Sequence, residues 1–290
     1  MESQIWELDF YSRPILDEKK KKLWEVLICE SPSNIDSSTE NLFQYSKFCS
    51  NQTVNSIWLK EALEDAIAQG KATPRKIRFF RRQMNNMIVK ATEELGIVAV
   101  PSRRTYGLQK LLEERMEKVY PHQEGFDPNL AKVATVQYPD LVPTPLPDAT
   151  RGDKGDKWAF VTLEAVGFQD MGEWDIGFGE SLPISALGIT PKTKIPGLII
   201  FSPRALPLAG WLSGLEMAYL QLNEERKAQL LLETGLSDSW ILADLTDKQA
   251  LAEAQGFEAT KAQAKGVHFL AIQSDPESES FAGFWLMQQV

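Results

Sequence analysis

With 290 residues, 43% hydrophobic and 24% charged side chains and a formal net charge of -9, the chain has an ordinary globular composition, with length for two domains. No apolar run is long enough to span a membrane as a helix, and two cysteines (Cys29, Cys49) with two histidines (His122, His268) leave no set with zinc spacing. The chain enters a strand-like segment with no signal or transit peptide ahead of it, which points to the cytoplasm.

Taken in order, Ile5 to Phe10 alternates Ile5, Glu7 and Asp9 against Trp6, Leu8 and Phe10, and LWEVLIC follows the tetralysine Lys19 to Lys22. Together they predict an antiparallel hairpin with a charged tip. A polar loop, SPSNIDSSTEN, leads to a third strand in LFQYSKF. Residues 54–69 then predict a helix that buries Leu59, Leu63 and Ala66 and ends at Gly70.

The stretch from Ala66 to Lys110 stands apart. It holds Lys71, Arg75, Lys76, Arg78, Arg81, Arg82, Lys90, Arg103, Arg104 and Lys110 against only Glu93 and Glu94, inside an acidic protein. Its pattern is a strand from Lys76 to Phe80 and a helix with the apolar stripe Met84, Met87, Ile88, Ala91 and Leu95. A short strand in IVAVP follows, and SRRT opens another helix. Strand, helix, strand, helix implies parallel neighbours, so both strand-to-helix turns should share one border of the sheet, where ligands usually bind. Arg81/Arg82 and Arg103/Arg104 would meet there, at helix N-termini where a cation costs about 0.3 to 1 kcal/mol and an anion relieves it. These residues, with Arg75 and Arg78, form a candidate phosphate cradle, and Phe79, Phe80 and Tyr106 are candidate platforms for stacked bases.

The element order of the first half, three strands, then helix, strand, helix, strand, helix, is that of the ribonuclease-H-like fold. Metal nucleases of that fold place acids on the first strand, the first helix and the end of the fourth strand. Asp9 and Glu61 fill two of those places, but Arg81 and Arg82 stand at the third, which disfavours a metal site.

Pro139, Pro143, Pro145 and Pro147 mark a Pro-rich linker over 126–156, between an N-terminal α/β domain with a basic face (1–125) and a C-terminal α/β domain (157–290). The second half predicts strands in WAFVTLEAV, GEWDIGFGE and GLIIFSP, with a hairpin around Gly177 and Gly179. A helix is expected over Leu206 to Glu233 from Trp211, Leu215, Ala218 and Leu222. Strand SWILADL, helix Asp247 to Ala264 and strands VHFLAIQ and GFWLMQ close the chain. The fold class is therefore α/β with two mixed-sheet domains, each in ribonuclease-H-like element order, which raises a duplication as a hypothesis. Glu164, Glu216 and Asp244 are the candidates for an acidic metal site in this half. Phe284 and Trp285 are either core anchors or an exposed base platform.

WELDFYSRPI, PRKIRFFRRQM, ELGIVAVPSRRT, ERMEKVYP and the closing GFWLM resemble an RNA-binding translation-activator family of chloroplasts and cyanobacteria, the Tab/Atab type, required for synthesis of photosystem I reaction-centre subunits. The resemblance implies binding of single-stranded A/U-rich leader regions of photosystem messages, without enzymatic activity or cofactor. It leaves ribosome or photosystem assembly factors as further partners, with no DNA and no membrane insertion. Matching blocks carry Arg75, Arg78, Arg81, Arg82, Arg103, Arg104, Phe284 and Trp285, and the lack of an Arg/Ser-rich extension fits a cyanobacterial member. Two other readings remain: an assembly scaffold whose basic face meets an acidic protein, and a divalent-metal nuclease using Glu164, Glu216 and Asp244.

Overall fold

The computed structural model describes residues 4–32, 34–35, 37, 42–131, 142–152, 155–225 and 227–289. Most of the polar loop at 31–41 and the centre of the Pro-rich segment, 132–141, lie outside them. The chain divides into two compact units, Met1–Pro32 with Thr39–Tyr138, and Ser33–Ser38 with Pro139–Val290. No helix among the described residues is long and apolar enough to cross a membrane.

The first unit contains β1 (Ile5–Leu16), β2 (Lys22–Glu30), β3 (Gln44–Cys49), α1 (Ser56–Gly70), β4 (Lys76–Phe79), α2 (Asn85–Glu93), β5 (Val98–Pro101), α3 (Tyr106–Lys118) and the short α4 (Pro128–Ala131). Its sheet runs in the order β3-β2-β1-β4-β5, with β2 antiparallel to β1 and β3, and with β4 and β5 parallel to β1. Period-two alternation divides β1. Trp6, Leu8 and Phe10 enter a core shared with Leu59, Leu63 and Ala66 of α1 and Ile88 and Ala91 of α2, while Glu7 and Asp9 face the other way. Ile77 and Phe79 of β4 join that core, as their alternation predicts. Asn55 caps α1 by accepting the Trp58 N–H at 2.9 Å.

The second unit holds β6 (Thr144–Pro145), β7 (Lys157–Glu164), β8 (Ile176–Glu180), β9 (Lys194–Phe201), α5 (Ala205–Ser213), β10 (Met217–Asn223), β11 (Gln229–Thr234), β12 (Asp238–Asp244), α6 (Lys248–Gln263), β13 (Val267–Gln273) and β14 (Phe281–Gln288). One sheet runs β10-β11-β12-β6 and a second runs β7-β9-β13-β14-β8. Neither repeats the strand order of the first unit, so the mixed-sheet expectation is met while the second half has its own topology rather than a copy. The Pro-rich segment is also narrower than its composition suggests. Phe126 bridges Ile15 and α4 packs on β1, while Thr144 and Pro145 pair with β12.

Two local expectations need correction. The helix over 206–233 stops at Ser213, and MAYLQLN and QLLLET become the antiparallel pair β10 and β11. The Leu, Gln and Glu side chains there are good helix formers, and cross-strand pairing overrides that preference. The hairpin expected around Gly177 and Gly179 is instead the single strand β8, parallel to β14. Gly179 is needed there because a Cβ would stand 2.3 Å from the Phe284 carbonyl oxygen.

His268 ties the two sheets of this unit. Its Nε2 accepts the Leu220 N–H at 2.8 Å, so Nδ1 carries the proton and donates to the Gly266 carbonyl at 2.8 Å. Burial and then the Lys261 charge push its pKa down to about 3. The folded state therefore holds a neutral imidazole while the unfolded chain protonates near pH 6.5, so the stability this provides is present above that pH and lost as pH falls. Urea unfolding at pH 7 and pH 5 should show a loss from this group of about 2 kcal/mol, at about 1.4 kcal/mol per pH unit. His268→Gln should flatten that slope; an unchanged slope would contradict the assignment.

Candidate nucleic-acid interface

Because β1, β4 and β5 are parallel, the chain leaves β4 and β5 at the same border of the sheet. The Ser102 N–H donates to the Phe79 carbonyl at 2.8 Å, which holds the two exits side by side, and Ser102 Oγ accepts the Arg104 N–H at 3.0 Å. Each exit carries an arginine pair, and each pair divides. Arg81 turns inward and Arg82 outward; Arg104 is buried and Arg103 half-buried. In near-extended backbone successive side chains point to opposite sides, so adjacent arginines cannot share an environment.

The inward arginines have partners distant in sequence. Arg81 donates to Asp9 through Nε at 2.6 Å and Nη2 at 3.3 Å. Asp9 also accepts from Arg13 Nη1 at 2.8 Å, and Arg13 Nε reaches Glu25 at 2.9 Å. Glu25 in turn accepts the Tyr120 hydroxyl at 2.5 Å and pairs with Arg115 of α3. An unbroken chain of charge thus crosses the polar face of the sheet from the β4 exit to the end of α3. Burial works against the Arg13 charge, but Asp9, Tyr120 and Glu25 outweigh it and hold its pKa above the ordinary value. Burial, with Glu25 adding to it, pushes the Tyr120 phenol upward as well, so the tyrosine stays a donor.

Glu7, next on the same face, accepts the Ser31 hydroxyl at 2.7 Å and the Leu108 N–H at 2.7 Å. The Leu108 amide is in the first turn of α3, whose N-cap Thr105 provides no side-chain cap. Glu7 therefore supplies from β1 the acceptor and negative charge that the helix start requires. An internal carboxylate already occupies one of the two helix ends expected to bind phosphate.

Aromatic rings complete the border. The Arg81 guanidinium lies 3.9 Å from the Tyr11 ring centroid and 4.9 Å from that of Phe80, and Arg104 lies 5.4 Å from that of Tyr106. Tyr11 and Tyr106 are half-buried and reach solvent; Phe80 is buried.

The structure thus sorts the predicted contact residues. Arg82, Arg103 and Tyr106 keep surface access at the adjacent exits of β4 and β5, and exposed Lys110 follows on α3. Gln83, Asn86 and Lys90 extend the exposed side of α2 from Arg82. Arg78, Arg81 and Arg104 are interior, at 1%, 8% and 2% exposure, and support the border from beneath. Arg75 is exposed but begins β4, at the opposite border. Phe79 belongs to the first core. In the second unit, Phe284 stacks on Phe269 at 5.1 Å and Trp285 lies in the core against α5, so both are core anchors rather than base platforms. Sequence reasoning missed Tyr11, Asp9 and Glu7 as parts of the site. The signal was present as two acids on the face opposite Trp6, Leu8 and Phe10, on a strand that becomes central.

The acids of the nuclease reading do not assemble. Asp9 faces arginines, whereas Glu61 is exposed on α1, which packs on the other face of the sheet. Glu164 is exposed at the end of β7, and Glu216 is half-buried. The Gln229 amide and Lys227 ammonium hold the Asp244 carboxyl below the usual range, with the ion pair at 2.6 Å. Among the described residues no group of three His, Cys, Asp or Glu side chains is placed to hold a metal.

With this geometry in place, the chain matches the family described as "RNA-binding protein Tab2/Atab2 N terminal" over residues 5–115 and the family of the "C-terminal domain" of the same proteins over 133–288. It is 37% identical to "Protein TAB2 homolog, chloroplastic" of Zea mays, covering 97% of this chain and 70% of that protein. The protein of the same name from Arabidopsis thaliana is 38% identical, with 97% and 74% covered. Among solved structures, the HTLV-2 integrase catalytic core domain matches at 15% identity over 47% of this chain and 88% of that one, with a TM-score of 0.26 that carries no argument.

Adjacent arginines should therefore behave oppositely. Arg81→Met removes one of the two guanidinium partners of the buried Asp9, leaving Arg13, and should lower unfolding free energy by about 1.5 to 3 kcal/mol, whereas Arg82→Met should stay within about 0.5 kcal/mol of the parent. Urea denaturation measures both, and equal effects would contradict the inward and outward assignment.

Proposed function

The chain belongs to the Tab2/Atab2 family of RNA-binding proteins, and from that membership we propose that it holds single-stranded leader RNA at the shared exit border of β4 and β5. The contacts are Arg82, Arg103, Tyr106 and Lys110, with Tyr11 beside them. The protein acts there without catalysis, in the translation of photosystem messages and in photosystem biogenesis, as the family resemblance implies. Its proposed compartment is the cytoplasm; buried, unpaired Cys29 and Cys49 fit a reducing one.

The observation that carries this reading is the two-layer arrangement of arginines. An anionic polymer is attracted to exposed guanidinium and ammonium groups, and the binding surface keeps its shape because Arg81 and Arg104 are fixed below it. Single strands suit the border because unstacked bases can lie on the tyrosine faces and meet polar side chains along their edges. Gln83 and Asn86 present exposed amides next to Arg82, and such groups can both donate to and accept from an adenine edge, in keeping with an A/U-rich target.

Fluorescence anisotropy with labelled A/U-rich and G/C-rich single strands tests the proposal. Neutralising roughly three phosphates predicts a slope of log affinity on log salt near -2. A flat response would remove the electrostatic basis. Arg82→Glu combined with Lys110→Glu should weaken binding about tenfold or more with the urea midpoint unchanged; unaltered affinity in a folded double variant would overturn the border assignment.

A further inference from the structure

The second unit treats the borders of its two sheets differently. On β10, the outer strand of the four-stranded sheet, side chains take up the main-chain groups. Leu220 N–H donates to His268, the Leu220 carbonyl accepts Lys261 Nζ at 2.7 Å, and Leu222 N–H donates to Glu258 at 2.8 Å. That border is closed.

One of the two outer strands of the five-stranded sheet, β8, is not closed in this way. Phe281 N–H donates to the Asp175 carbonyl at 2.8 Å, and the register sets Ile176 opposite Phe281 and Phe178 opposite Gly283. In a parallel ladder this turns the main-chain groups of Gly177 and Gly179 toward β14 and those of Ile176 and Phe178 outward. Gly177, Phe178 and Gly179 are exposed, and the strand carries none of the lysines or prolines that commonly guard an edge. Beside it runs α5, which has no charged residue. A methyl group added at Gly210 would lie 3.8 Å from the Phe178 ring, so that ring rests against the helix. Phe178 at 37% exposure, Leu206 at 63% and exposed Pro207 form an apolar strip along an edge strand.

The surrounding charge selects the occupant. Asp170, Glu173 and Asp175 precede β8, and Asp275, Glu277 and Glu279 lie in the β13–β14 turn that the Phe281–Asp175 bond brings to the same end. All six are exposed. No Lys or Arg occurs between Lys157 and Lys192 or after Lys265. This region repels RNA, and its field favours a cation adjoining an apolar strand.

We propose that β8 is a docking edge for an extended polypeptide segment of a partner protein. The segment adds as a further strand, sets apolar side chains on Phe178 and Leu206, and places lysines or arginines on the acidic turn. This site is in the second unit and does not depend on the RNA border.

The test uses the full chain and a labelled synthetic peptide of alternating valine and threonine with a lysine tail. A second peptide is N-methylated at alternate residues so that it cannot pair with a strand. The first should bind saturably and more weakly at high salt; N-methylation should weaken it about tenfold or more, since several main-chain hydrogen bonds are lost. Phe178→Pro removes an outward N–H without touching the β14 ladder, a place where an edge strand tolerates proline. It should abolish peptide binding and leave RNA affinity unchanged. Glu277→Lys with Glu279→Lys should weaken the peptide and reduce its salt dependence. Equal binding of both peptides, unchanged affinity in the variants, or no binding at millimolar peptide would overturn the proposal. Self-association of the protein that is lost in Phe178→Pro would give the edge to a second copy and overturn it as well.

Discussion

The first unit depends on one buried chain of charge, Arg81 to Asp9 to Arg13 to Glu25, closed by Arg115 and Tyr120. Taking these groups out of water is unfavourable, and the arrangement persists because each carboxylate accepts from at least two donors. The chain links β1, β2, the β4 exit and α3, so the helix that covers the polar face of the sheet is held by directional bonds. Glu7 on the Leu108 amide fixes its other end. A border built on this layer presents outward cations from a base whose geometry is already set.

That layer explains why only part of the basic stretch reaches the surface. Ten basic residues against two acids looks like an unquenched patch, yet Arg81 is neutralised by Asp9 of β1, 72 positions earlier in the chain. Local charge counting cannot see such partners. The alternation of β1 could, because acids on a central strand must be paired. The strand and helix pattern of the first unit was legible from β1 to α3, since its apolar stripes are regular and α1 ends at Gly70, whereas α4 lies in the segment expected to be linker. The shared border followed from parallel strand order. The facing of each arginine did not, since it depends on backbone direction through two short turns.

In the second unit the strands were legible where β-branched and aromatic residues dominate, as in β9 and β13. Legibility failed where leucine and glutamine form strands only because a neighbour pairs with them, as in β10 and β11. Phe284 and Trp285 could be read as core or surface from composition alone. For Phe284, ring contacts with Phe269, Phe168 and Trp174 from three separated segments decide for the core, and for Trp285 the cluster shared with Leu208 and Leu212 of α5 does so. Exposed cations occur in both units, with Lys157, Lys192, Lys227, Lys248 and Lys265 among those of the second; what distinguishes the β8 edge is the set of exposed acids at 170–175 and 275–279.

The proposed RNA border is where β4 and β5 give way to their helices. Ultraviolet crosslinking of the full chain to single-stranded A/U-rich RNA, with mapping of the modified peptides, tests it most directly. Adducts are expected on the peptides that carry Tyr11 and Tyr106, reduced together when Arg82 is replaced by Glu. Adducts concentrated in the second unit, with none on either tyrosine peptide, would contradict it.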